Sequence, residues 1–96
     1  MTARDAIARL GNCLTQDSSG RYSFACKKAF VTLKLRGMKK RVRFRARDRV
    51  AFRTGADCLT VERSDTGIVW RRFPWEQIEM LTAGEPEIDN GPLFQG

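Results

Sequence analysis

From Phe30 onward the chain alternates, with Val31, Leu33 and Leu35 on one side of an extended backbone and Thr32, Lys34 and Arg36 on the other. That two-residue period is the mark of a half-buried strand. Gly37 permits a turn, after which Val42, Phe44 and Ala46 alternate with Arg41, Arg43, Arg45 and Arg47. A second strand is therefore expected, with one apolar face and one arginine face. Leu59 and Val61 begin a third strand, and Ser64-Asp65-Thr66-Gly67 supplies a turn into Ile68-Val69-Trp70. Pro74 interrupts that run and leaves residues 77–81 as a short last strand. Ahead of the strands, residues 2–10 predict a short helix: Thr2 caps it, Asp5 stands three residues on, Ile7 and Leu10 share a face, and Gly11 stops it. Residues 12–20 predict a loop. Four or five short antiparallel strands behind a helix make the chain mainly β, and wrapping into a small closed barrel would protect their edges.

A chain of 96 residues leaves room for one core, expected over residues 1–82, followed by an acidic flexible tail over 83–96. The 42% hydrophobic and 30% charged residues suit a globular domain and argue against wholesale disorder. The sequence contains no histidine, which removes Ser-His-Asp and Cys-His nucleophiles and imidazole metal ligands. Cys13, Cys26 and Cys58 are three thiols without a C-x-x-C pair, whereas a closed zinc site takes four ligands, so no metal or other cofactor is expected. Residues 1–14 lack the unbroken apolar stretch of a signal peptide, and no later segment has membrane-spanning length. The reading is a reduced, cytoplasmic, non-enzymatic protein with no membrane partner, in which Cys26 and Cys58 act as small hydrophobes.

Charge changes the picture most. Residues 21–49 hold twelve basic side chains and one acid, Asp48, within a chain of net charge +7, and residues 83–96 hold Glu85, Glu87 and Asp89 with no base. Such a concentrated positive field draws phosphates or an acidic protein face. Same-face neighbours on a strand lie about 6.6 Å apart, so Arg41, Arg43, Arg45 and Arg47 form a row able to track a phosphate backbone, with Lys34, Arg36, Lys39 and Lys40 nearby. A merely solvated face would dilute that repulsion with acids. Among the aromatics, Tyr22, Phe24, Trp70, Phe73 and Trp75 are core candidates first. Trp75, just after Pro74 at a strand boundary, is the best placed to stack on a base.

Two short motifs invite other chemistry. Asp65-Thr66-Gly67 resembles the Asp-Thr-Gly of retropepsin-like aspartic proteases, but Arg63 and Ser64 replace the apolar lead-in and the segment reads equally as a hairpin turn. Arg41-x-x-x-Arg45 with Glu62-x-Ser64-x-x-Gly67 resembles the cyclic-dinucleotide-binding PilZ pattern, with Glu62 in place of Asp or Asn. A broader likeness runs from residue 24 to 88, through Phe24-Ala25-Cys26-Lys27-Lys28, Val31-Thr32-Leu33-Lys34-Leu35-Arg36-Gly37, Ala46-Arg47-Asp48, Leu59-Thr60-Val61-Glu62, Gln77-Ile78-Glu79 and Pro86-Glu87-Ile88. It resembles the Rho-binding antiterminators, Sm-like inhibitors of the Rho termination helicase. The resemblance implies a five-stranded Sm-like barrel with a short N-terminal α-helix, and a role in transcription antitermination. The chain departs from the family in charge: an acidic antiterminator complements Rho's RNA-binding surface, which would repel a row of arginines. The expected function is therefore a regulatory module that binds RNA or another nucleic acid through Lys34, Arg36, Lys39, Lys40, Arg41, Arg43, Arg45, Arg47 and Trp75. The alternative is an antiterminator-like regulator of transcription or translation docking on an acidic protein partner. Either is compatible with an oligomer.

Overall fold

The computed structural model describes residues 1–84. Helix α1 (Ala3–Leu10) is followed by eight strands: β1 (Leu14–Gln16), β2 (Tyr22–Phe24), β3 (Phe30–Leu35), β4 (Arg41–Arg45), β5 (Val50–Thr54), β6 (Cys58–Arg63), β7 (Val69–Pro74) and β8 (Ile78–Gly84). They form two antiparallel sheets, one ordered β1-β2-β5-β6-β7 and the other β4-β3-β8. Among the described residues no ladder joins one sheet to the other, so the expected closed ring of strands is not formed. What closes the core is packing: Phe52, Leu59, Val61 and Phe73 of the larger sheet share one cluster with Val31, Leu33, Phe44, Ile78 and Leu81 of the smaller. Burial of these side chains against one another supplies the main stabilisation.

Helix α1 starts as expected, the Thr2 hydroxyl accepting from the Asp5 N–H at 3.2 Å, and it stops at Gly11. Its core face differs from the expectation. Ala6 and Leu10 are fully buried whereas Ile7 is 43% exposed, because the helix lies on β8 and β5 through its Ala6–Leu10 side. Arg9 Nη1 donates to the Leu81 carbonyl at 2.9 Å and fixes that approach.

The expected loop over residues 12–20 contains β1, which pairs with β2 as Leu14↔Phe24, Thr15↔Ser23 and Gln16↔Tyr22. Asp17 closes this hairpin by accepting from the Ser19 hydroxyl and from the backbone N–H groups of Ser19 and Arg21. Strand β8 runs through Ala83 and Gly84, two residues past the expected end of the folded body. The rest of the expected tail, residues 85–96, lies outside the described residues. No helix among the described residues is long and apolar enough to cross a membrane.

Candidate nucleic-acid interface

The three-stranded sheet builds the basic face. Its register sets Phe30, Thr32 and Lys34 of β3 opposite Arg45, Arg43 and Arg41 of β4, and opposite Gly84, Thr82 and Met80 of β8. Directly opposed residues share a face, so three rows cross the outer surface: Arg41–Lys34–Met80, Arg43–Thr32–Thr82 and Arg45–Phe30–Gly84. The inner face holds Val31, Leu33, Phe44 and Leu81, all buried. The alternation seen in the sequence thus separates an apolar inner side from a cationic outer side.

Arg41, Arg43 and Arg45 are all exposed, and none has a carboxylate partner among the described residues. Arg43 is held by two neighbouring side chains. Its Nε donates to the Thr32 hydroxyl at 3.1 Å, and its guanidinium carbon sits 4.6 Å from the centre of the Phe30 ring. That cover explains why Thr32, an outward-facing position, is only 4% exposed. An arginine lying on an aromatic ring and tied at Nε still presents its terminal N–H groups to an incoming acceptor.

The other expected residues scatter. Lys34 is on the face, but its ammonium pairs with Glu79 at 2.7 Å, and that hydrogen bond, with the attraction of Lys34, holds the Glu79 carboxyl below the usual carboxylate range. Arg36 follows the end of β3 and donates from Nε to the Glu76 carbonyl at 2.7 Å. Lys39 and Lys40 are exposed on the hairpin loop before Arg41 and extend the row at that end. Arg47 is not part of the strand row. The Asp48 carboxylate accepts from the Arg45 N–H at 2.7 Å, a 3-10 turn spans Ala46–Asp48, and Arg49 takes a left-handed conformation (φ 54°), so the chain leaves the sheet after Arg45.

Trp75 is also corrected: it is 7% exposed, in the core cluster, with its indole N–H donated to the Gly55 carbonyl at 2.9 Å. A ring so enclosed offers no face to a base. The exposed indole is Trp70, 57% accessible on β7 and edge-on to Phe44 with ring centres 5.8 Å apart. Trp70 borders a groove of about 340 Å³ where the free edges of β4 and β7 approach, lined by Val42, Arg43, Phe44, Asp48, Val50 and Arg63.

Sequence reasoning missed a second feature. Lys27 and Lys28, on the turn before β3, join Ala29, Phe30, Arg43 and Arg45 around a recess of about 270 Å³ at one end of the arginine row. The signal for it was the Lys27-Lys28 pair two residues before the first strand aromatic, but only the pairing Phe30↔Arg45 brings the two stretches together.

The motifs that suggested other chemistry have structural roles. Glu62 is buried and receives Arg53 Nε at 3.1 Å and Arg21 Nη1 at 3.5 Å, away from Arg41 and Arg45. Asp65 lies in an exposed turn against Arg63 at 3.3 Å, whose hydrogen bond keeps its carboxyl below the ordinary range, and Gly67 completes the turn at φ 73°. Cys13, Cys26 and Cys58 are half-buried. Among the described residues, no three Cys, Asp or Glu side chains converge as metal ligands. Comparison with family models, with curated proteins and with solved structures returned no match, so the likeness to the antiterminators rests on the residues of this chain alone.

Proposed function

We propose that this chain is a non-enzymatic nucleic-acid-binding module, of regulatory role, whose outer β4-β3-β8 face lies along the phosphates of a single RNA strand. One observation carries the reading: Arg41, Arg43 and Arg45 occupy three successive outward positions of one strand with no carboxylate partner among the described residues. Their mutual repulsion is a cost that a polyanion removes, and each neutralised phosphate releases condensed counterions. Lys39 and Lys40 lengthen the row, and Trp70 at the neighbouring strand edge offers a surface on which a base can stack. In this reading the body is a variant of the Sm-like plan, supported by the N-terminal helix packed on β8 and β5 and by a core common to both sheets.

A second reading has one observation in its favour. Among the described residues strand β4 is an edge of its sheet, where an added strand could pair, and an acidic extended segment of a protein partner would meet the arginines there. The two readings separate in a titration of labelled single-stranded RNA, duplex RNA and single-stranded DNA from low to high salt. Phosphate binding predicts affinity for the single strands that falls steeply and linearly in log–log form. Absence of binding at low salt overturns it.

A further inference from the structure

The recess beside Phe30 differs from the rest of the basic face in being concave and in having an ordered floor. Four of its six lining residues are cationic, namely Lys27, Lys28, Arg43 and Arg45, and none is acidic. Lys27 and Lys28 approach from the turn before β3, and Arg43 and Arg45 from β4, so the charges converge from two separate stretches of chain. Convergence of like charges raises the local potential above that of a flat row. Phe30 and Thr32 hold the Arg43 guanidinium from below through the ring contact and the Nε hydrogen bond, so little side-chain freedom remains for a ligand to remove. The guanidinium surface turned away from Phe30 is a plane of the kind on which bases stack in single-stranded RNA complexes.

We infer that this recess seats one nucleotide of the bound strand, its phosphate held among Lys27, Lys28 and Arg45 and its base laid on the Arg43 guanidinium. The inference rests on the nucleic-acid reading above and adds a fixed point to it: contacts elsewhere on the face are diffuse, whereas here one nucleotide occupies a defined place. The recess of about 270 Å³ suits a phosphate with part of its nucleoside rather than a bare ion.

Equal-charge variants test it, with anisotropy of a labelled 12-nucleotide oligouridine as readout. Lys27→Gln with Lys28→Gln removes two charges at the recess; Lys39→Gln with Lys40→Gln removes two at the other end of the row. Both pairs are exposed and lie outside the strands, so the fold is preserved in each. A seat predicts a loss of about tenfold or more for the first pair and about threefold or less for the second, and a several-fold loss for Arg43→Lys, which keeps the charge but not the plane. Equal losses from the two pairs, with Arg43→Lys unchanged, overturn the seat and leave the nucleic-acid reading standing. If the unaltered protein does not bind the oligonucleotide, that reading fails, and the seat is then decided by titrating uridine diphosphate against the backbone amide spectrum. Shifts centred on residues 27–30 and 43–45 support it, and an unchanged spectrum overturns it.

Discussion

The two sheets of this protein differ in how they arrange their arginines. In the five-stranded sheet and its turns, Arg21 and Arg53 converge on the buried carboxylate of Glu62, Arg21 also faces Asp17, and Arg63 faces Asp65. Arg71 and Arg72 of the same sheet have no carboxylate partner among the described residues, and the Arg71 guanidinium carbon lies 4.7 Å from the centre of the Phe73 ring, but being consecutive on β7 they point to opposite sides and form no row. In the three-stranded sheet, Arg41, Arg43 and Arg45 repeat every second residue on one side and, among the described residues, meet a ring, a hydroxyl and solvent rather than carboxylates. In the first setting Arg21, Arg53 and Arg63 tie loops and strands together; in the second a periodic row accumulates charge. The contrast teaches that a count of basic residues says less than their periodicity and their partners.

The largest effect expected belongs to the apolar side of the same strand. Phe44 is 5% exposed and edge-on to Phe52 and Trp70, so Phe44→Ala costs about 3–5 kcal/mol, whereas Arg45→Ala, on the opposite side, costs about 0.5 kcal/mol or less. Chemical denaturation of the two variants checks this, and equal midpoints would break the assignment of faces. Next comes Arg43→Glu with Arg45→Glu, which inverts the charge of the row without touching the core. Single-stranded RNA affinity at low salt is expected to fall by about 100-fold or more with the circular dichroism spectrum unchanged.

The five-stranded sheet supplies the counter-test. Glu62→Gln removes the counter-charge that the Arg21 and Arg53 guanidiniums share, leaving Arg21 only its longer contact with Asp17, and is expected to cost about 2 kcal/mol. That is less than for a fully enclosed pair because both arginines reach water, and RNA affinity should stay within about twofold. A large change in affinity with intact stability would mean that this cluster, too, serves binding.

How much of this was legible beforehand follows from where the two-residue period holds. It holds from Val31 to Leu35 and from Arg41 to Arg45, and there both strands and both faces were readable. It fails in β5, where Ala51 and Phe52 are adjacent and both fully buried, and in the three-residue strands β1 and β2, which are too short to show a period. Arg47 continued the written pattern, but one hydrogen bond from the Arg45 N–H to Asp48 ends the strand before it. Trp75 followed a proline at a strand boundary, which suggested exposure, yet its N–H finds the Gly55 carbonyl twenty residues back and the ring packs inward. The Lys27–Phe30–Arg45 juxtaposition depends on register across a hairpin, which alternation alone does not set.

The smallest effect expected concerns the Glu79 carboxylate, which pairs with Lys34 beside the row. Glu79→Gln releases Lys34 from its ion pair and is expected to tighten RNA binding by up to about threefold. The pH dependence has the same origin. Because the Glu79 carboxyl is held low by Lys34, the pair is intact above the ordinary carboxylate range and is lost as pH falls through that lowered value. Lys34 is therefore freed only in acid, and the gain of the Glu79→Gln variant over the unaltered protein should shrink there.

The most direct measurement is the slope of log affinity against log salt concentration for a single-stranded RNA, compared between two variants that each remove three charges. Each phosphate contact on a single strand contributes about 0.7 to that slope. Arg41→Gln with Arg43→Gln and Arg45→Gln is expected to reduce its magnitude by about 2, and Arg4→Gln with Arg71→Gln and Arg72→Gln, all exposed and none lining the recess or the Trp70 groove, by less than about 0.5. Equal reductions would contradict the account, because the RNA would then be responding to net charge rather than to the arginine row of the three-stranded sheet.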